Sequence, residues 1–296
     1  MKRTIAFLSV IVLCMSMASA AWADEDNGCV VIGANLTDEQ ITSVYSTFGI
    51  LRGSVPEIVV TNSEERAYLE GLIADSIIGH NSISCVYVKL RSEGSGMSIR
   101  TSNITWCTGD MYVSALSTAG ISDAEIIVAA PFGVSGTAAL TGIYKAYEYL
   151  TGNKLSEDAK QVSTEELTVT GDLSDLIGSD DATAIINELK LILDETRTMS
   201  DAELHQTITD IAASYGVVLD ESEMQMVINL CRELEKLDVD GIVSRVSELQ
   251  NAFQKISDTK EKVENAANTV SDFASNVSSF LSKVGAFFEK IFSVFK

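Results

Sequence analysis

The sequence predicts an α/β head, a mixed sheet with a β-hairpin and helices packed on it. An all-α region follows, and then a long C-terminal heptad-patterned amphipathic helix. Three observations predict this order. Up to Gly152, short apolar runs alternate with helical segments that begin at capping residues. Beyond Gly152 strand signals vanish while helix caps continue. From Ile242 onward, apolar residues recur every seven positions. The predicted divisions are residues 24–152, 153–240 and 241–296, preceded by a signal peptide over 1–23.

In the head, Cys29 to Ala34 reads as a strand, and Thr37 caps a helix that runs to about Phe48. Glu57 to Val60 is a second strand, and Asn62 or Ser63 caps a helix ending near Leu72. Ser82 to Arg91 and Met97 to Cys107 read as a hairpin around Ser92-Glu-Gly-Ser-Gly96. Centred near Gly96, that hairpin sets Cys85 opposite Cys107, Val86 opposite Trp106 and Val88 opposite Ile104. A Cys85–Cys107 disulfide is therefore expected in an oxidising compartment, with two neighbouring free thiols as the alternative. Sequence does not join Cys29 to Cys231. A helix from Gly109 to about Ala119 stops at Gly120, Ala124 to Ala130 is a strongly apolar strand, and a helix from Ser135 to Leu150 ends at Gly152.

In the acidic middle, Ser156, Ser200 and Asp220 stand at cap positions, and Ser200 with Glu203 forms a capping box. Helices are expected from about Asp181 to Glu195, Ser200 to Ser214 and Ser222 to Leu237. The tail then repeats Ile242, Leu249, Ile256, Val263, Val270, Val277, Val284 and Ile291, with Val246, Phe253, Ala267, Ala274, Leu281, Phe288 and Phe295 at the complementary position. Only Lys260 breaks this seam. A continuous helix would reach about 80 Å; it reads either as a coiled coil, which allows homo-oligomers, or as helices folded back on the acidic region. Phe280, Phe287, Phe288, Phe292 and Phe295 share one face of its last turns, with serines and lysines opposite. That pattern suits contact with an anionic membrane or a protein partner.

The ends and the charge bound the location. Lys2 and Arg3, the apolar run Ile5 to Met17 and the small-residue sites around Ala20 and Ala23 have the layout of a cleaved secretory signal. With 42 acidic and 21 basic side chains among 296 residues, the net charge of −21 argues against nucleic acid as a partner. Hydrophobic residues at 46% mark a folded core rather than an acidic disordered chain.

Chemistry is sparse. No metal or cofactor is expected: the chain has two histidines, and Asp238-Val-Asp240-Gly241 fails as a calcium loop because Lys236 and Ser247 stand where ligands should. The site-like feature is the strand-to-helix passage Gly133-Val-Ser135-Gly136-Thr137. Gly133, Ser135, Gly136 and Thr137 could present amides and hydroxyls to an anion or other small ligand. The plainer alternative makes Ser135 a helix cap and the glycines a turn. The loop lacks the lysine of a phosphate-binding loop and the second glycine of a nucleophile elbow. No catalytic residues are assigned. Convergence of His80 or a buried carboxylate on Ser135 would favour an envelope hydrolase, and amides without a base would favour binding.

The signal peptide, Val31-Ile-Gly-Ala-Asn-Leu-Thr37, Asn103-Ile-Thr-Trp106, Met111-Tyr112, Thr118-Ala-Gly120 and Ala130-Pro131 leading into Ser135-Gly-Thr-Ala-Ala-Leu-Thr-Gly142 resemble the YpuA-like proteins. These are exported Gram-positive proteins of unknown function, and the resemblance spans about residues 28 to 240. It implies export and an α/β head with a helical region, and it brings no active site. The expected role is thus a non-enzymatic, exported cell-envelope protein with a membrane- or partner-contacting tail.

Overall fold

The computed structural model of the chain describes residues 27–72 and 74–250. The expected signal peptide and the tail beyond residue 250, with Phe280, Phe287, Phe288, Phe292, Phe295 and most of the heptad seam, lie outside the described residues. The described part contains the strands β1 (Gly28–Gly33), β2 (Glu57–Val60), β3 (Cys85–Leu90), β4 (Ser98–Ile104) and β5 (Ala124–Val134). They join in the order β2-β1-β3-β5-β4. The pairs β1–β2 and β4–β5 are parallel, while β1–β3 and β3–β5 are antiparallel. The sheet is mixed, as expected.

The expected hairpin is not there. β5 inserts between β3 and β4, so Cys85 stands opposite Ala129. Apolarity explains the insertion. β5 buries Ile126 and Val128 on one face and Ile127 and Ala129 on the other, which only an interior strand can do. β4, Ser-Ile-Arg-Thr-Ser-Asn-Ile, alternates exposed polar positions and belongs at an edge. The expected Cys85–Cys107 disulfide falls with the hairpin. Cys85 packs in the core on one face of the sheet, and Cys107 lies beyond β4 in the core on the other. Among the described residues the four cysteines are free thiols. Burial pushes Cys29, Cys85 and Cys231 up to about 11 and Cys107 to about 12, so all four are poor nucleophiles.

Helices cover both faces. α1 (Asp38–Phe48) lays Ile41, Val44, Tyr45 and Phe48 over Val30, Ile32, Tyr87 and Ile127. On the opposite face lie α4 (Gly109–Ala119) and α5 (Thr137–Thr151), with α2 (Asn62–Leu69) and the one-turn α3 (Asp75–Ile78) beside α5. Capping boxes start α1 at Thr37 with Gln40 and α2 at Thr61 with Glu64. The cap of α2 is thus Thr61, not Asn62 or Ser63, because Glu64 reaches back to its backbone amide.

The helical region holds α6 (Glu157–Ile177), α7 (Ser179–Leu191), the short α8 (Leu193–Thr196), α9 (Asp201–Ser214), α10 (Glu221–Leu234) and a helical stretch over 239–250, α11. Ser156, Ser200 and Asp220 cap α6, α9 and α10 as the sequence indicates. α6 belongs to both cores: Leu167 packs with the head, while Val162, Val169 and Leu173 pack with α7, α9 and α10. Ile242 and Val246, the first positions of the heptad seam, are buried in this helical core. Among the described residues no helix is long and apolar enough to cross a membrane.

Between head and helices lies a fully buried ion pair. Lys190 Nζ of α7 donates to Glu166 Oε1 of α6 at 3.0 Å, to the Ser114 carbonyl of α4 at 2.8 Å and to Ser117 Oγ at 2.9 Å. Ser114 and Thr118 donate to the two oxygens of Glu166. Burial pushes Lys190 below its ordinary range, against the pull of Glu166. Removing one partner strands the other charge in the core. Lys190→Met should therefore cost about 3–5 kcal/mol in urea unfolding. Adding Glu166→Leu should recover most of the loss. A single variant costing under 1 kcal/mol would show that the pair does not hold the two layers together.

Candidate functional site

β5 runs four residues past Ala130, and this overrun builds the site. Asn103 takes a left-handed φ of 59° and donates from Nδ2 to the Ala130 carbonyl at 2.8 Å, just where the β4–β5 register shifts. Asparagine is one of the few side chains that accept this conformation. Pairing then resumes, with Thr105 N donating to the Val134 carbonyl and Cys107 N to the Ser135 carbonyl. The passage into α5 is thereby fixed from the β4 side. Gly136 completes the turn with a φ of 101°. A Cβ there would meet Ile104 and Tyr112, whose hydroxyl donates to the Gly136 carbonyl at 2.6 Å.

The facing wall is the segment from Ile77 to Ser84. It approaches β1 so closely that a Cβ on Gly33 would lie 2.2 Å from the Ser82 carbonyl oxygen. Asn35 accepts from the Ser82 amide and so pins the same place. Arg66 holds the start of this wall, donating to Asp75, Asn62 Oδ1 and the Gly79 carbonyl.

Between these walls lies a half-open cleft of about 210 Å³, lined by Glu65, Ile77, His80, Ser84, Ser135 and Thr137 among others. Glu65 of α2 is 1% exposed. It accepts from Thr137 Oγ1 at 2.9 Å and from Asn62 Nδ2 at 3.3 Å. Burial, only partly offset by Thr137, Asn62 and the nearby Arg66, pushes its carboxyl up to about 7. Ser135 Oγ donates to the Ile77 carbonyl at 3.0 Å and lies 3.4 Å from Thr137 Oγ1.

Of the four residues the sequence suggests, Ser135 and Thr137 line the cleft and Gly133 and Gly136 do not. Ser135 is not the helix cap either. The N-cap is Gly136, without a side-chain bond, because Ser135 is still paired to the sheet and its hydroxyl is turned to Ile77. Sequence reasoning misses Glu65. The available signal is that Glu65 stands one helical turn before Leu69 on the same buried face of α2. Among the described residues no cluster of histidine, cysteine or carboxylates could hold a metal ion.

Fold and cleft together define an α/β protein with a helical extension and a small polar cleft at the end of an interior strand. Residues 32–256 match the family model described as protein of unknown function, DUF1002. The chain is 35% identical over 260 residues to the uncharacterized protein YpuA of Bacillus subtilis (strain 168), covering 86% of this chain and 89% of that protein. No solved structure matches. The chain belongs to this family, in agreement with the resemblance in its motifs.

The raised carboxyl of Glu65 gives a pH dependence whose sign is definite. Unfolded, the group releases its proton near 4.5; folded, near 7. Between these values the folded state binds more protons, so its stability falls as pH rises through the window. Glu65→Gln should therefore gain on the parent between pH 4.5 and pH 8, by about 3 kcal/mol at most. Urea titrations at both ends read this, and an unchanged difference between the two proteins would contradict it.

Proposed function

We propose that this chain is an exported protein of the cell envelope that acts by binding: the cleft takes a small ligand, and the C-terminal segment contacts membrane or a protein partner. The observation that carries the binding half is the bonding around Ser135. Its hydroxyl donates to a backbone carbonyl, and the buried carboxylate bonds Thr137 instead. A hydroxyl so committed is not prepared as a nucleophile, because no base accepts its proton. Export rests on the signal-like residues 1–23, and the tail contact on the phenylalanine face of residues 280–295.

Fractionation of producing cells into medium, wall and membrane tests localisation. The full chain should follow the membrane or wall, and a variant ending at Ser271 should shift to the medium. Equal distribution of the two would remove the tail from the proposal.

A second reading, an envelope hydrolase, is favoured by one feature: a carboxyl near neutral pH shares the cleft with His80, Ser135 and Thr137. On the binding reading, Ser135→Ala leaves ester and amide hydrolysis at the buffer background in both proteins. Turnover that the parent shows and the variant lacks would establish the hydrolase.

A further inference from the structure

We infer that the cleft is selective for a primary ammonium carried on a short aliphatic stem, with Glu65 as the counter-charge. This rests on the binding reading above. Four observations carry it. Glu65 is a buried carboxylate whose hydrogen-bond partners, Thr137 and Asn62, are both neutral. Two donors leave about half of a carboxylate's acceptor capacity unused. The nearest guanidinium, on Arg66, is committed elsewhere, to Asp75, Asn62 and the Gly79 carbonyl. Among the described residues that line the cleft there is no lysine or arginine.

A buried carboxylate without a paired cation is costly, and an ammonium entering the cleft removes that cost. The rest of the lining fits the other parts of such a ligand. Ser84 and Ser135 offer hydroxyl oxygens as acceptors for the remaining N–H groups, while Ile77, Ile83, Val134 and Ala138 provide apolar wall for methylenes. A volume of about 210 Å³ accommodates a short aliphatic stem. An anion is disfavoured, since it would stand beside Glu65 with no lysine or arginine on the walls. The long-range field agrees, because a net charge of −21 draws cations towards the surface.

Binding also couples to protons. An ammonium selects the ionised form of Glu65, which releases its proton near 7. Apparent affinity should scale with the ionised fraction, about tenfold higher at pH 8 than at pH 6. The other titratable and charged groups around Glu65 are Arg66 on its own helix, His80 on the facing wall, and Cys107 and Tyr112 behind Gly136.

The test titrates the full chain with n-pentylammonium, n-pentanol and pentanoate, following backbone amide resonances. Pentylammonium should shift the amides of Ile83, Ser84 and Ala138 at pH 8, bind about tenfold more weakly at pH 6, and lose its effect in Glu65→Gln. In His80→Gln the pH effect should persist. Pentanol binding as well as pentylammonium, or affinity independent of pH, would overturn the ammonium inference while leaving a ligand-binding cleft. Pentanoate binding preferentially would do the same. No shift with any of the three would overturn the cleft reading as well. The comparison of the three probes on the parent protein decides the matter even if Glu65→Gln does not fold.

Discussion

A lysine ammonium and a glutamate carboxylate, both closed off from water, set the relation between the two layers of this protein. Lys190 comes from α7, Glu166 from α6, and the carbonyl and hydroxyls that complete their coordination come from α4, which packs on the sheet. Hydrophobic contact alone would let α6 slide along α4, since dispersion has little directionality. A buried charge permits no such freedom, because every displacement of an ångström leaves a donor or acceptor unpaired. Arg245 adds a further bond across the same seam, donating from Nε to the Ser117 carbonyl at 2.6 Å. The helical region is therefore held against the head, with α6 contributing side chains to both cores.

The same logic of burial explains where the cleft lies. β5 must occupy the middle of the sheet because it is apolar on both faces, and this pushes β4 to the edge. Parallel pairing with β4 then carries the end of β5 past the sheet and into the Gly136 turn. The opposing wall is set by β1, where Gly33 lets the chain around Ser82 pass at backbone distance. Ser135 and Thr137 thus reach the wall from Ile77 to Ser84 as a consequence of strand order. Glu65 arrives from a third element, α2, so the three parts of the site are close only in the folded chain.

Most helix caps were legible in the sequence, and strand pairing was not. Thr37, Ser156, Ser200 and Asp220 were readable as caps because a cap is decided within four residues. Strand pairing is decided across tens of residues, and the turn-like Ser92 to Gly96 suggested a hairpin that the sheet does not form. The contrary signal was present: Ser98, Arg100 and Ser102 alternate as an edge strand does, while Ala124 to Ala130 has no polar face. Charged residues hid the rest. Glu65, Glu166 and Lys190 look like solvated helix surface in an acidic chain, and only their neighbours in space reveal them as buried. α6 was obscured for another reason: the run Thr168-Val-Thr170 is β-branched and blurs the helical period.

Charge also constrains how such a body could sit on an envelope. A chain with net charge −21 is repelled by anionic lipid and by wall polyanions alike, over a range of roughly 10 Å in salt. Attachment through the body itself is therefore unfavourable, whatever its fold. The proposed contact segment differs in the one respect that matters: from Ala274 onward it has Lys283, Lys290 and Lys296 against a single acid, Glu289, alongside the phenylalanine face. Each lysine near anionic lipid contributes about 1 kcal/mol, and each buried phenylalanine about 2 kcal/mol. Attraction concentrated in that segment would hold the chain without any contribution from the acidic body. The acidic body draws cations from solution, and the cleft with Glu65 lies in that field. The proposed tail contact and the proposed cleft ligand thus make opposite electrostatic demands, and separating them along the chain satisfies both.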